Sequence, residues 1–248
     1  MINDIRETLD NGNASIGSWL NLGSPLAAEV MASAGFDWLV VDTEHTAYSM
    51  ENISNMFRAI EARGVIPLAR AWDHSRSTAG RLLDAGAYGI VFPHVCTPEQ
   101  AIHLVESVRY PPKGTRSSGT GRCTTILDNY QNKFNDIVLC IPQIEDIQGI
   151  QNAEAILNVD GVDIGFLGPN DLALSMGVAI GHPNHETALQ TFRKVCQRAG
   201  KPCGIPVKDA KTAISRIAEG FQFIDLTNDL RLLESSAVAL LQEVKIET

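Results

Sequence analysis

Short apolar runs alternate along the chain with longer runs that have the pattern of helices. The short runs predict strands over residues 15–20, 38–42, 66–71, 89–93, 138–144, 163–167, 202–207 and 221–226. The longer runs begin at residues that cap helices, such as Ser24 before Pro25 and Thr97 before Pro98. Several of them end at a glycine. Because strands and helices alternate, the sequence predicts a parallel sheet with helices between its strands.

The number of these units decides between two α/β folds. Eight βα units in 248 residues favour a closed (β/α)8 TIM barrel. An open doubly wound sheet usually has a glycine-rich turn after its first strand, and residues 20–25 contain no such turn. Since no linker or shift in composition interrupts the chain, residues 1–248 are predicted to form a single domain. Residues 110–137 and 177–184 are predicted to be irregular, and the first of these is either a functional loop or a solvated excursion.

Composition and charge exclude several classes of protein. No apolar run approaches the roughly 20 residues of a membrane helix, and the N-terminus does not resemble a signal peptide. Lys and Arg number 20 and Asp and Glu 29, and this net charge of −9 argues against a nucleic-acid or anionic-membrane surface. The five cysteines form no C-x-x-C motif. They are predicted to be free thiols, which indicates a cytoplasmic location.

Two carboxylates lie where barrel enzymes keep their reactive groups, at the carboxyl ends of strands. Gln143 and Glu145 share one face of the fifth strand, because strand side chains repeat every two residues. A Glu inside a barrel needs either an ion pair, for which Arg70 is a candidate, or a metal ion. Asp171 begins the helix after the sixth strand, where a carboxylate is common without any further role. Together, Glu145 and Asp171 suit Mg²⁺ or Mn²⁺.

Other strand ends carry candidate catalytic groups. His45 follows Asp42 and Glu44, which could orient it for proton transfer. His94 also lies at a strand end, although its position argues less strongly for function. Lys208 ends the seventh strand and offers a Schiff-base nucleophile, but its polar neighbours fit an ordinary helix start better.

Five segments resemble, in order and spacing, the HpcH/HpaI family of metal-dependent (class II) pyruvate aldolases. They are residues 35–45, 67–70, 109–116, 143–145 and 161–172. The likeness extends from Gly17 to the end of the chain. It implies a pyruvate-type TIM barrel that assembles as a homo-hexamer, a trimer of dimers. In that family the last helix is exchanged between subunits, and the apolar residues 232–244 are compatible with such an exchange.

The resemblance also implies roles for individual residues. Glu145 and Asp171 would bind Mg²⁺ or Mn²⁺, with Co²⁺ as a further option, and the metal would chelate pyruvate. Arg70 would stabilise the enolate, and His45 would move the proton. The residues implied to act in catalysis are His45, Arg70, Asp42 and Asp84. Asp84 would pair with His45, either in the same chain or in a neighbouring subunit. The residues implied to line the substrate pocket are Trp19, Gln143, Gly168, Pro169, Asn170 and Val207.

The aldehyde half of the substrate is where the chain departs from this family. Residues 117–124 and 206–208 differ, and Arg116 and Arg122 are hypothesised to bind a carboxylate of the acceptor. The predicted activity is reversible, metal-dependent cleavage of a 4-hydroxy-2-oxo acid to pyruvate and an aldehyde. Three alternatives stay open: an oxaloacetate-type decarboxylase that uses the same enolate site, a Schiff-base aldolase that uses Lys208, and a non-catalytic barrel that binds small acids.

Overall fold

Eight parallel strands close into a barrel in the computed structural model, which describes residues 2–247. Each strand pairs with the next, and β8 pairs with β1. The strands are β1 Ser15–Leu20, β2 Trp38–Asp42, β3 Ile66–Arg70, β4 Gly89–Phe92, β5 Leu139–Ile144, β6 Gly165–Leu167, β7 Cys203–Val207 and β8 Phe223–Asn228. The predicted TIM-type barrel is thereby confirmed. The single-domain prediction for residues 1–248 also includes Met1 and Thr248, which lie outside the described residues.

Helices surround the barrel and mostly begin at side chains that cap them. They are α1 Ile2–Asp10, α2 Pro25–Ala32, α3 Met50–Glu61, α4 Arg76–Ala85, α5 Pro98–Val108, α6 Cys123–Ile126, α7 Tyr130–Ile137, α8 Ile147–Leu157, α9 Pro169–Met176, α10 Pro183–Arg198, α11 Ala210–Glu219 and α12 Asp229–Glu247. The Ser24 hydroxyl accepts the Ala27 N–H, and Thr97 and Gln100 form a complete capping box. Both predicted helix starts are therefore confirmed.

Aromatic rings fill the lower part of the barrel. Trp38 stacks on Phe223 with 3.9 Å between ring centroids, and Phe166 stacks on Trp19 at 5.4 Å. Gly17 makes room for this layer, because a Cβ there would lie 2.1 Å from the Trp38 ring. Large buried rings dominate core energetics. The layer therefore forms a solid floor beneath the carboxyl ends of the strands.

The segment predicted to be irregular between residues 110 and 137 contains two helices, so that prediction was wrong for its second half. Tyr130 and Phe134, one turn apart on α7, pack around the guanidinium of Arg116 together with Tyr110. The local sequence does not predict α7 because its stability depends on this distant cation. In the other irregular segment, predicted over residues 177–184, residues 177–182 precede α10 as expected, whereas Pro183 and Asn184 already belong to that helix.

Helix α12 differs from the other long helices because it hardly packs on its own barrel. Residues 230–245 of this helix are all exposed, including Leu233, Leu240 and Leu241.

No helix within residues 2–247 is long and apolar enough to cross a membrane. The five cysteines are free thiols in the structure, and the cytoplasmic location stays a prediction.

Candidate active site at the carboxyl end of the barrel

Arg70 and Asp42 are cross-strand neighbours at the ends of β3 and β2. Arg70 Nε donates to Asp42 Oδ1 at 2.8 Å and Nη2 donates to Oδ2 at 2.6 Å, so the pair is bidentate. Arg70 Nη1 lies 3.1 Å from Glu44 Oε2. Burial lowers the pKa of Arg70, but the hydrogen bonds and charge of Asp42 and the charges of Glu44 and Glu145 outweigh it and raise that pKa. The guanidinium is therefore a fixed, permanently charged group.

Further contacts hold this cluster in place. Asn21 Nδ2 donates to Asp42 Oδ2 at 2.9 Å, and the Glu44 N–H donates to Asp42 Oδ1 at 3.1 Å. The Arg70 guanidinium lies 5.7 Å from the centroid of the Trp19 ring, within cation–π range. Trp19 is therefore the ring of the aromatic layer that also contacts a charged group of the barrel mouth.

Glu145 lies at the end of β5 and is only 2% exposed. Its Oε1 accepts the His94 backbone N–H at 2.7 Å, and its Oε2 accepts the Gln143 amide. Burial raises the pKa of the Glu145 carboxyl and the charge of Asp171 adds to this, against the opposing hydrogen bonds from His94 and Gln143. The predicted common face of Gln143 and Glu145 is confirmed. The predicted ion-pair candidate Arg70 instead binds Asp42.

The segment from Gly168 to Asp171 joins β6 to α9 beside Glu145. Gly168 is buried, Pro169 starts the helix, Asn170 is exposed and Asp171 lies in the first turn. A Cβ on Gly168 would lie 2.2 Å from Glu145 Oε2, so the glycine leaves the space that this carboxylate occupies. The free N–H groups of a helix start can bind an anion such as a substrate carboxylate.

Two histidines flank Glu44 at the rim of the mouth. His45 Nε2 lies 3.7 Å from Glu44 Oε2, and His94 Nε2 lies 3.9 Å from Glu44 Oε1. His94 Nδ1 also lies 3.3 Å from Glu145 Oε1. The sequence analysis gave Glu44 only a role in orienting His45 and missed its contact with Arg70. The spacing of Asp42 and Glu44 was the available signal, because residues two apart extend to the same side of a strand.

The remaining predicted residues lie in other contacts. Arg116 is buried, and its Nη2 donates to Asp84 Oδ1 at 2.7 Å. Arg122 donates to Glu61 and, at 3.2 Å, to the carbonyl oxygen of Ala85. Asp84 is thus engaged by Arg116 in this chain. The proposed roles of these three residues toward the acceptor and His45 stay predictions.

Val207 on β7 and Asp225 on β8 lie on opposite sides of the barrel wall. Pro206 pairs with Asp225 and Val207 with Leu226, and Asp225 shares the side of Phe223, whose ring is in the barrel. Val207 is therefore on the opposite, helix-facing side. Asp225, which the sequence analysis missed, is buried with Oδ1 lacking a hydrogen-bond partner. Burial raises its pKa well above the ordinary value, although the charge of Arg70 opposes this.

The donor set around Glu145 fits a hard divalent cation. Glu145 is a buried carboxylate that the negative charge of Asp171 repels, and carboxylate oxygens are the ligands that Mg²⁺ and Mn²⁺ prefer. Gln143 Oε1 is a buried oxygen without a partner at the same place. Among the residues that the structure describes, no group of three or more His, Cys, Asp or Glu side chains forms a metal cluster. Two carboxylates with positions left for water and substrate match the way Mg²⁺ is usually held.

Comparisons with known proteins agree with this geometry. The sequence profile of the HpcH/HpaI aldolase/citrate lyase family matches residues 15–236. The 2-keto-3-deoxy-L-rhamnonate aldolase of Klebsiella pneumoniae subsp. pneumoniae is 33% identical over 236 residues, which are 93% of this chain and 88% of that protein. The 5-keto-4-deoxy-D-glucarate aldolase of Citrobacter koseri is 32% identical over 249 residues, covering 98% and 96% of the two chains.

A solved structure shows the same likeness in three dimensions. An HpcH/HpaI aldolase/citrate lyase family protein from Burkholderia cenocepacia superposes with a TM-score of 0.93 at 34% identity. The match covers 98% of this chain and 99% of the other. The chain belongs to the HpcH/HpaI aldolase/citrate lyase family.

Proposed function

We propose that the chain is a divalent-metal-dependent aldolase that reversibly cleaves a 4-hydroxy-2-oxo acid to pyruvate and an aldehyde. One observation carries this proposal: the buried Glu145 carboxylate, with the charge of Asp171 acting on it, shares a barrel mouth with the fixed guanidinium of Arg70. The family supports it, since the relatives are named as aldolases of keto-deoxy sugar acids.

The chemical difficulty of the reaction is the negative charge that develops on the keto oxygen when the carbon–carbon bond breaks. A divalent ion held by Glu145 and Asp171 would supply Lewis-acid neutralisation of that charge. Arg70 donates to the same oxygen and needs no reorganisation, because Asp42 holds its guanidinium in place. The N–H groups at the start of α9 bind the carboxylate of the pyruvate half.

Proton transfer is assigned to His45. As the bond between C3 and C4 breaks, the imidazole takes the proton of the 4-hydroxyl group, so the aldehyde carbonyl forms. The same imidazole then returns a proton to C3 of the enolate and completes pyruvate. Its position 3.7 Å from Glu44 supports this assignment, because a nearby carboxylate can orient the ring for proton transfer.

Pyruvate release after removal of metal tests the proposal. Protein stripped with a chelator is assayed on a 4-hydroxy-2-oxo acid with and without Mg²⁺ or Mn²⁺, for the wild type, Glu145→Gln and Asp171→Asn. Glu154→Gln, an exposed substitution on α8, is the matched control. We expect metal to restore release in the wild type and the control but in neither site variant.

The alternatives give different results in the same assay. Pyruvate release that needs no metal, together with a covalent adduct on Lys208 after borohydride reduction, would indicate a Schiff-base enzyme. Pyruvate release from oxaloacetate and from no 4-hydroxy-2-oxo acid would indicate a decarboxylase. Pyruvate binding without turnover of any substrate would indicate a non-catalytic barrel. The physiological metal is proposed to be Mg²⁺ or Mn²⁺, with Co²⁺ as a substitute, and titration of each ion by calorimetry ranks them.

We also propose that copies of the chain assemble as a hexamer, a trimer of dimers that covers α12. The exposed leucines of this helix support the proposal, because monomeric proteins rarely leave a contiguous apolar surface uncovered. Light scattering should give six times the 26.9 kDa chain mass. The double variant Leu240→Glu and Leu241→Glu should give smaller species, and an unchanged mass would contradict this role of α12.

A further inference from the structure

A pocket of about 350 Å³ lies beside the amino ends of β7 and β8, at the opposite end of the barrel from the candidate active site. Its volume is within the range of pockets that bind small molecules. The residues that line it are Gly12, Arg193, Gln197, Lys201, Cys203, Ala218, Glu219, Gly220 and Gln222. A ligand in this pocket would not contact the residues to which the aldol reaction is assigned.

Two cations of this pocket have no carboxylate partner among the residues that the structure describes. They are Arg193 on α10 and Lys201 just before β7, and both side chains are partly buried. Arg193 Nε donates to Gln190 Oε1 at 2.9 Å, which holds the guanidinium and leaves both Nη groups for a ligand. Lys201 Nζ donates to the Val162 carbonyl oxygen at 2.6 Å, which uses one of its three protons. Both cations are therefore held in place with donors to spare.

The two cations meet at the start of β7. Burial and the neighbouring Cys196 thiol raise the pKa of the Cys203 thiol well above its ordinary value, and the charge of Arg193 opposes this rise. Arg193 is therefore close enough to act on Cys203, which is only two residues beyond Lys201 in the chain. Arg193 also faces Gly220, since a Cβ there would lie 3.4 Å from Nη1. The guanidinium thus points across the pocket toward the connection between α11 and β8.

Glu219 is the carboxylate of the pocket lining, and it is engaged elsewhere. Its Oε2 accepts from Arg216 Nη1 at 2.8 Å and from Gln190 Nε2 at 2.6 Å. Arg216 also binds Glu186, which does not line the pocket. With two cations and one carboxylate, the lining has a net positive charge in a chain whose net charge is −9. The pocket is therefore a local exception to the acidic character of the protein.

The chemistry of the lining selects one class of anion. The planar fork of an arginine matches phosphate oxygens, and an ammonium group binds the same oxygens as a point charge. A phosphate monoester carries nearly two negative charges at pH 7 and three strong acceptor oxygens, whereas a carboxylate carries one charge. Two unpaired cations therefore match a phosphate group better. Gln197 and Gln222 are neutral, and Gln222 Nε2 already donates to the Leu9 carbonyl oxygen, so its own oxygen can accept from a hydroxyl group.

We infer that this pocket binds a small organic phosphate, with the phosphate group held by Arg193 and Lys201. The hydroxyl groups of the ligand bind Gln197 and Gln222 on the rest of the lining. The alternatives, a carboxylate ligand and an anion bound elsewhere on the chain, become outcomes of the test.

Calorimetric titration of the intact protein with glycerol 3-phosphate, inorganic phosphate and glycerate tests the inference. Glycerol 3-phosphate should bind most tightly, because glycerate has three carbons as well but a single charge, and inorganic phosphate has no hydroxyl-bearing chain. Arg193→Gln should raise the Kd of glycerol 3-phosphate by roughly tenfold or more, the effect of losing a charge-assisted hydrogen bond. Arg193→Lys keeps the charge without the fork and should retain part of the affinity. Arg198→Gln, an exposed cation on the same helix, should leave the Kd unchanged.

Ala218→Phe tests the pocket without changing any charge. Ala218 is an exposed residue near the end of α11, so a larger side chain there fills the pocket at little cost to the fold. This variant should lose binding of glycerol 3-phosphate. Binding that both Ala218→Phe and Arg193→Gln leave intact would place the anion elsewhere and overturn the inference. Glycerate or inorganic phosphate binding as tightly as glycerol 3-phosphate, or no binding of any probe at millimolar concentration, would also overturn it.

Discussion

Gly168→Ala is a single added methyl group that tests the geometry of the candidate metal ligand. The backbone of Gly168, φ −104° and ψ 83°, is open to residues with side chains, so the substitution has a steric effect rather than a conformational one. The new Cβ would lie 2.2 Å from Glu145 Oε2, 2.6 Å from Glu145 Cβ and 2.9 Å from Gln143 Nε2. Ordinary contact needs about 3.5 Å, so the Glu145 carboxylate must move by roughly 1 Å.

The energetic consequence has two parts. Overpacking a close-packed site costs about 1–3 kcal/mol of the free energy of unfolding. For a chain of 248 residues this lowers Tm by roughly 2–12 °C. A displaced ligand also weakens the metal site, and disturbances of groups that position ligands typically reduce metal affinity by about 10- to 100-fold. The substitution should therefore reduce stability, Mn²⁺ affinity and pyruvate release together.

Thermal unfolding, Mn²⁺ titration and pyruvate release measure these three effects. Gly80→Ala is the matched control, because an added Cβ on this α4 residue meets no atom within 4 Å. It should raise stability by about 0.5–1 kcal/mol, since alanine favours a helix over glycine. If Gly168→Ala kept wild-type stability and Mn²⁺ affinity, Glu145 would not be packed against this glycine and the reasoning would fail.

Three further substitutions test other parts of the structure. Burial raises the pKa of Asp225 well above 3.8, so from about pH 4 upward the folded state keeps a proton that the unfolded chain releases, and stability falls as pH rises toward the folded pKa. In chemical unfolding, the free energy of unfolding of the wild type should fall by about 1.4 kcal/mol per pH unit in that window relative to Asp225→Asn. Parallel pH profiles of the two proteins would refute the burial argument. Arg116→Met should lower the free energy of unfolding by about 2 kcal/mol, because it removes a buried guanidinium that pairs with the partly exposed Asp84. A changed preference for acid aldehydes would instead support an acceptor role. Trp38→Ala should lower the free energy of unfolding in urea by about 3–5 kcal/mol. The control Trp72→Ala, at a residue 38% exposed, should change it by no more than roughly 0.5 kcal/mol.

The strands could be predicted because parallel strands are buried on both faces. Such strands consist of apolar runs, and a polar residue marks the place where each one emerges from the barrel. This is why β2 and β5 were predicted to within one residue of their observed limits. It is also why the common face of Gln143 and Glu145 followed from their spacing alone.

Contacts between distant elements could not be predicted in the same way. The sequence shows that Arg70 ends a strand but not that Asp42, on the neighbouring strand, will bind it. Helix α7 depends on Arg116, which lies 14 positions before Tyr130 in the chain. Asp225 is the one acidic residue of β8, whose last two residues are also polar, and its burial depends on closure of the whole barrel.

Two buried carboxylates of the mouth, Asp42 and Glu145, differ in how their charge is balanced, and this difference supports the separate roles proposed for the two sides of the site. Asp42 accepts a bidentate guanidinium and the Asn21 amide, so a metal ion there would have to compete with a fixed cation. Glu145 accepts hydrogen bonds from a backbone N–H and an amide but no guanidinium, and burial raises the pKa of its carboxyl in spite of these bonds. An added cation therefore gains most at Glu145. A 2-oxo acid placed between the two sides would meet the metal proposed at Glu145 on one side and the arginine on the other, and both would offset the charge of an enolate.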